Sequence, residues 1–282
     1  MADDTYNAVQ TFYGNIAKKT NLAQQHEQEE NIARAFGYSA EDLSSLPEKT
    51  NLGLSCGNPV GFANVKEGET VLDLGSGSGI DVLPAARQVG ESGQAIGVDM
   101  TKSMIELSEK NAQKAKLSNT RFIEATINTI PLPDASVDCI ISNCVINLVR
   151  ASDKATVFQE IARLLKPGGR VSISDILARK PLPDNITKNM ALFVGCVAGA
   201  SQIEEYEDYL KAGWIRRVLC TKSLVGVLIV DAKSDLNLYK GSSHLPQISC
   251  CGGSGSKETT SEIAEMDFNE WVGSFQIYAI KA

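Results

Sequence analysis

The chain has 282 residues, long enough for one large α/β domain with extensions or for two small domains, and with 43% apolar and 22% charged residues its composition is that of a globular protein rather than a disordered one. A net charge of −7 argues against a nucleic-acid partner, whose phosphates need clustered Lys and Arg. No apolar run reaches the length of a membrane span, and the acidic start Met1-Ala-Asp-Asp lacks the regions of a secretion signal, so a reducing, cytoplasmic setting is expected.

Val9, Phe12, Tyr13 and Ile16, then Ile32, Ala33, Ala35 and Phe36, recur at helical spacing. Residues 4–36 are therefore expected to form an amphipathic arm that packs on the domain or lies over its ligand. Ser39-Ala-Glu-Asp reads as a helix start, and Pro47 breaks the helix that follows. The stretch Asn51-Leu-Gly-Leu-Ser-Cys-Gly-Asn-Pro59 is rich in turn formers and is expected to be an irregular loop with Cys56 exposed on it. Strands at 70–74, 94–98, 121–125, 137–142 and 170–176 alternate with helices at 80–89, 102–116 and 152–165. That alternation predicts a mostly parallel sheet covered on both faces. Residues 181–214 read as helical and carry Cys196. Residues 225–230 and 275–280 read as strands, and the Gly/Ser-rich stretch 241–262 as a flexible loop.

The first strand runs into Gly75, Gly77 and Gly79, a G-x-G-x-G turn. A dinucleotide fingerprint needs glycine or alanine at the next position, where this chain has Ile80. Asp99 ends the second strand, where a carboxylate can accept both hydroxyls of a ribose. Asp73 lies inside the first strand and could orient the turn or meet a ligand ammonium. Adenosine joined to an amino acid, S-adenosyl-L-methionine, fits these features better than a pyrophosphate does. Thr126 and Ile127, after strand three, would border the adenine, and Met100 and Asn143 complete the expected cofactor set.

Leu72-Asp-Leu-Gly-Ser-Gly-Ser-Gly79, Gly97-Val-Asp-Met100 and Leu165-Lys-Pro-Gly-Gly169 resemble the class I S-adenosylmethionine-dependent methyltransferases. The resemblance implies a doubly wound, Rossmann-like sheet of seven strands in the order 3-2-1-4-5-7-6, the last antiparallel, with a helical N-terminal arm and a C-terminal α+β extension. The expected division is 1–66 for the arm and the Cys56 loop, 67–180 for the cofactor-binding core, and 181–282 for the C-terminal region that completes the sheet.

Seven cysteines remain: Cys56, Cys139, Cys144, Cys196, Cys220, Cys250 and Cys251. The odd count and the lack of any Cys-x-x-Cys pair speak against a disulfide framework and a structural zinc site. With only His26 and His244, an imidazole-rich metal site is not expected. Cys139 falls within a strand and reads as core. Cys144 follows strand four, beside strand one, and topology aims it at the ligand crevice. Three stretches, Leu52-Gly-Leu-Ser-Cys-Gly-Asn-Pro59, Ile141-Ser-Asn-Cys-Val-Ile-Asn-Leu148 and Gly195-Cys-Val-Ala-Gly-Ala200, resemble the arsenite methyltransferases, as do Tyr38-Ser-Ala-Glu-Asp-Leu43 and Ser174-Asp175.

That resemblance spans about residues 5–214 and implies arsenic(III) binding by Cys56, Cys144 and Cys196. Thiolates are soft ligands suited to a thiophilic centre. A pyramidal thiolate complex leaves the arsenic lone pair free to attack a sulfonium methyl, with no general base at arsenic. The implied substrates are arsenite or methylated trivalent arsenicals, the implied reductant is glutathione or thioredoxin, and a monomer is expected. The vicinal Cys250-Cys251 could capture arsenite or belong to a dispensable tail. Gly195 stands where some family members carry glutamate, and 215–226 reads as an insertion before the next strand. Two other readings share the core motifs: a C- or O-methyltransferase of a quinone- or sterol-like ring, and a non-catalytic protein that binds arsenic(III) or S-adenosylmethionine.

Overall fold

Val71, Leu72 and Leu74 leave no face of strand β1 (Thr70–Leu74) suited to water, and the strand lies inside the sheet accordingly. The computed structural model describes residues 2–18, 23–214, 227–241 and 266–282. The other strands are β2 (Gln94–Asp99), β3 (Thr120–Glu124), β4 (Val137–Asn143), β5 (Leu165–Ala178), β6 (Leu228–Asp231) and β7 (Val272–Ile280). They join in the order β3-β2-β1-β4-β5-β7-β6. Strands β1 to β5 are parallel, while β7 pairs antiparallel with β5 and β6. This is the class I methyltransferase fold that the motifs implied.

Alternation along β1 sends its side chains to two cores. Val71 packs with Ala85, Ala86 and Val89 of helix α5 (Val82–Val89), and Cys139 of β4 lies in this same cluster as expected. Leu72 and Leu74 pack with Val157, Phe158 and Ile161 of α7 (Ala151–Leu164) and with Tyr206 and Leu210 of α10 (Ile203–Trp214). Both faces of the sheet are thus covered. The sheet order reverses between β1 and β4, because β2 lies on the other side of β1. Ligands of such sheets bind beyond the strand ends at that switch point.

A third core sits above the switch point and joins distant parts of the chain. It takes Val9 from α1 (Ala2–Lys18), Ile32 from α2 (Ala23–Ala35), Ile176 from the end of β5, and Cys56, Cys144 and Cys196 from the connections beyond the sheet. The arm also crosses to the core through polar contacts: Gln10 Nε2 donates to the Met100 carbonyl, and Tyr6 OH donates to Asp153.

Two sequence expectations are corrected here. Residues 181–214 are not one helical region: α8 (Asp184–Thr187) and α9 (Met190–Val194) are single turns, and α10 is the only longer helix among them. Cys196 follows α9 in a left-handed turn, φ +64°. Strand five begins at Leu165 rather than 170, because Leu165 already pairs with Val137 across an irregularity in the register. Ser39 starts α3 (Ala40–Ser44) with a reciprocal capping box to Asp42, as its pattern predicts. Cys220, Cys250, Cys251, the suggested insertion 215–226 and loop residues 242–262 lie outside the described residues. No helix among the described residues is long and apolar enough to cross a membrane.

Candidate active site

Strand β1 cannot continue past Leu74, because the next residues must turn back under a helix start. Gly75 has φ +68°, and a Cβ there would lie 2.4 Å from a Val145 methyl. Gly77 has φ +50°, yet a Cβ there would meet nothing within 4 Å. The first glycine is required by packing, and the second leaves room at the edge of a cleft. That cleft holds about 1030 Å³ of open space, mouth included. Asp73, Gly75, Gly77, Asp99, Met100, Thr126, Ile127, Asn143 and Cys144 all line it; Gly79 does not, and instead packs beneath the turn against Ser108 and Leu83.

The polar groups of the cleft fit a cationic, hydroxyl-bearing ligand. Asp99 accepts the Gly77 N–H at 3.0 Å and the Thr101 N–H at 2.8 Å, which ties the glycine turn to the end of β2. Burial, then the nearby Asp81 and Asp99, pushes the Asp73 carboxyl well above the usual range, so a ligand cation beside it would be favoured. Ser76 and Thr50 line the cleft, and their buried hydroxyls have no hydrogen-bond partner among the described residues. A buried hydroxyl without a partner is costly, and a ligand supplies one. On the chemistry of this donor set, S-adenosyl-L-methionine fits the cleft.

The three cysteines named by motif come together beyond β4. Cys56 is 0% exposed, Cys144 7% and Cys196 4%. The Cys196 thiol donates to the Cys144 carbonyl at 2.8 Å. The Sγ atoms of Cys56 and Cys144 and a carboxylate oxygen of Asp175 all lie within 4.8 Å of one another. Cys144 is thus the centre of the group, with left-handed backbone (φ +59°) and its N–H bonded to the Ser174 carbonyl. Burial pushes the Cys56 thiol up to about 11 and the Cys144 thiol well above its usual value. Cys196 is also raised well above its usual value, first by its pairing with the Cys144 thiol and then by burial. All three are protonated thiols near neutral pH.

Cys56 is not exposed on its loop, which corrects the sequence expectation. Its N–H donates to Asn143 Oδ1 at 3.1 Å, its thiol to the Ser174 carbonyl at 3.5 Å, and its carbonyl accepts Ser274 Oγ. Asn143 lines the cleft, but its side chain serves that loop. Its Nδ2 donates to the Gly57 carbonyl, to Tyr38 OH and to Asp81. Tyr38 OH in turn donates to Asp81 at 2.8 Å, and burial lifts Asp81 to about 6.

A second space of about 530 Å³, mouth included, adjoins the cysteines and is lined by apolar groups such as Phe12, Tyr239 and Phe268. Cys196 borders it. Tyr13, Leu54 and Cys144 border both this space and the cleft, so Cys144 stands at their junction. Sequence reasoning assigned no role to Tyr13, Leu54, Asp81 or Tyr38.

Residues 65–213, more than half of the chain, match the family model described as a methyltransferase domain, and the chain belongs to that family. The likeness to arsenite methyltransferases holds beyond the short motifs. The chain is 42% identical over 213 residues to the arsenite methyltransferase of Halobacterium salinarum, covering 75% of this chain and 54% of that protein. It is 35% identical over 230 residues to the Homo sapiens arsenite methyltransferase, covering 78% and 60%. The chain therefore spans little more than half the length of these relatives. In structure it is similar to an arsenic(III) S-adenosylmethionine methyltransferase from Chlamydomonas reinhardtii, with TM-score 0.58 and 28% identity over 89% of this chain and 73% of that one.

Proposed function

We propose that this chain methylates trivalent arsenic, held by Cys56, Cys144 and Cys196, with S-adenosyl-L-methionine as methyl donor. The observation that carries the reading is the gathering of the three cysteines at Cys144, whose Sγ lies beside that of Cys56 and whose carbonyl accepts the Cys196 thiol, at the junction of the cofactor cleft and the second space. The donor supplies an electrophilic methyl on a sulfonium. Asp99 and the Gly77 turn would hold its ribose, Asp73 its ammonium, and Thr126 and Ile127 its base.

Binding of arsenous acid needs no protein base. Three S–H and three As–O bonds break, three As–S bonds form, and three waters leave. The buried thiols are protonated in the arsenic-free protein, and each thiol proton departs with a hydroxide from arsenic. Asp175, although close, is a poor candidate ligand. Its oxygens already accept from Asn147, the Ile176 N–H and Tyr206, and thiols are the softer donors. What the protein contributes is position: a lone pair held at the junction gains from orientation on the order of 7–11 kcal/mol when alignment is good.

In this reading the arsenic lone pair forms the As–C bond as the S–CH₃ bond breaks, two thiolates then leave arsenic as a disulfide and return it to the trivalent state, and glutathione or thioredoxin reduces that disulfide; the products are methylated trivalent arsenicals, and the role is arsenic detoxification in the cytoplasm. The test is arsenite-dependent consumption of S-adenosyl-L-methionine with glutathione present. Wild type is expected to form methylated arsenic, and Cys144→Ser to form none. Full activity in Cys56→Ser, Cys144→Ser and Cys196→Ser alike would reject the thiol site. Arsenite binding without methylation would favour a sequestering protein instead.

A further inference from the structure

Cys196 keeps a left-handed backbone, φ +64°, that a residue with a Cβ rarely adopts. Such a conformation persists only where the surroundings over-determine it. Beneath this turn lies a buried polar chain that neither the cofactor cleft nor the thiol exchange uses. Lys154 of α7 is 2% exposed. Its Nζ donates to the Gly199 carbonyl at 2.5 Å, to Ser201 Oγ at 2.8 Å and to Asn147 Oδ1 at 3.3 Å. Asn147 passes the connection on. Its Nδ2 donates to the Ile176 carbonyl at 2.6 Å, to Asp175 at 3.0 Å and to the Cys196 carbonyl at 3.2 Å.

The chain grips the turn on both sides. Asn147 holds the Cys196 carbonyl, and Lys154 holds Gly199 and Ser201 just after it. The fit is tight, since a Cβ on Gly199 would lie 2.0 Å from the Asn147 carbonyl oxygen. Asn147 also sits three residues after Cys144, so a single side chain links the two cysteine segments to the end of β5. A buried ammonium is costly unless it is fully partnered, so an apolar residue would serve mere packing better.

We infer that Asn147 and Lys154 are positioning residues for Cys196: they lock its turn so that the third thiol faces Cys144 before substrate arrives. The part of this inference that concerns arsenic rests on the proposed function. Residues that orient metal-binding side chains typically change affinity by about 10–100-fold when removed, and the same range is expected for arsenite here.

The test compares wild type with Asn147→Leu and Lys154→Met, the second keeping length and apolar bulk in case the first fails to fold. Iodoacetamide labelling of the arsenic-free protein, read by peptide mass, reports how firmly Cys196 is held. Its rate is expected to rise about tenfold or more, with Cys139 unchanged. Arsenite affinity is expected to fall about 10–100-fold while S-adenosyl-L-methionine affinity stays at the wild-type value. Variants that lose thermal stability but leave Cys196 labelling and arsenite affinity within about twofold of wild type would overturn the inference. If wild type itself binds no arsenite, the proposed function fails, and the labelling rates alone still decide whether Cys196 is held in this way.

Discussion

Substituting alanine at two neighbouring glycines should separate folding from cofactor binding. Both Gly75 and Gly77 have positive φ, so alanine costs each about 1–2 kcal/mol. At Gly75 the new methyl would also meet two Val145 methyls at 2.4 and 2.6 Å, an overpacking that adds about 1–3 kcal/mol. At Gly77 nothing lies within 4 Å, because the position opens on the cleft. Gly75→Ala should therefore lose about 2–5 kcal/mol of stability, and Gly77→Ala only about 1–2 kcal/mol, a few degrees in Tm. Binding should be affected in the opposite sense. The Gly77 methyl would occupy ligand space, and overpacking of about 1–3 kcal/mol weakens S-adenosyl-L-methionine by roughly 10–100-fold. Thermal melts and titration calorimetry on both variants measure the two quantities. Wild-type cofactor affinity in Gly77→Ala would refute the placement of the cofactor at this turn.

Burial lifts Asp175 from its ordinary 3.8 to about 6. Between those values the folded protein binds the extra proton, so its stability should fall as pH rises from about 4 to 6, by about 3 kcal/mol from this group. Asp175→Asn should flatten that slope in denaturant unfolding measured across the window; an unchanged slope would show that Asp175 is not the titrating group. Asn143→Ala removes the acceptor of the Cys56 N–H and the donor to Gly57, Tyr38 and Asp81. It should cost about 2–3 kcal/mol and make Cys56 label with iodoacetamide far faster than in wild type. Cys139→Ala, within the α5-side core, should cost about 1–2 kcal/mol in urea unfolding and leave the number of bound arsenic atoms unchanged.

The sheet was legible because short, apolar-rich strand segments alternate with helical ones, a pattern that a parallel sheet covered on both faces explains. The glycine turn and Asp99 were legible because their spacing follows from the backbone of a single βαβ unit. The cysteine residues were identifiable by motif, but their environment was not. Cys56 lies among turn formers, which locally suggest exposure; its burial depends on Asn143, Ser174 and Ser274, far along the chain. Cys196 looked helical because Phe193 and Val194 continue an apolar pattern, yet the turn is held open by Asn147 and Lys154. Hydrogen bonds between distant segments leave no periodicity in the sequence, and so Asp81 and the buried Lys154 gave no signal, and the motif that holds Tyr38 did not reveal its contact with Asp81.

In the proposed site, three thiols from separate parts of the chain share one arsenic atom. X-ray absorption at the arsenic edge, on wild type loaded with one equivalent of arsenite, counts the ligands directly. Three sulfur neighbours and no oxygen are predicted, with one sulfur lost in each of Cys56→Ser, Cys144→Ser and Cys196→Ser. Retained As–O bonds in wild type, or a coordination shell unchanged by Cys144→Ser, would contradict the account.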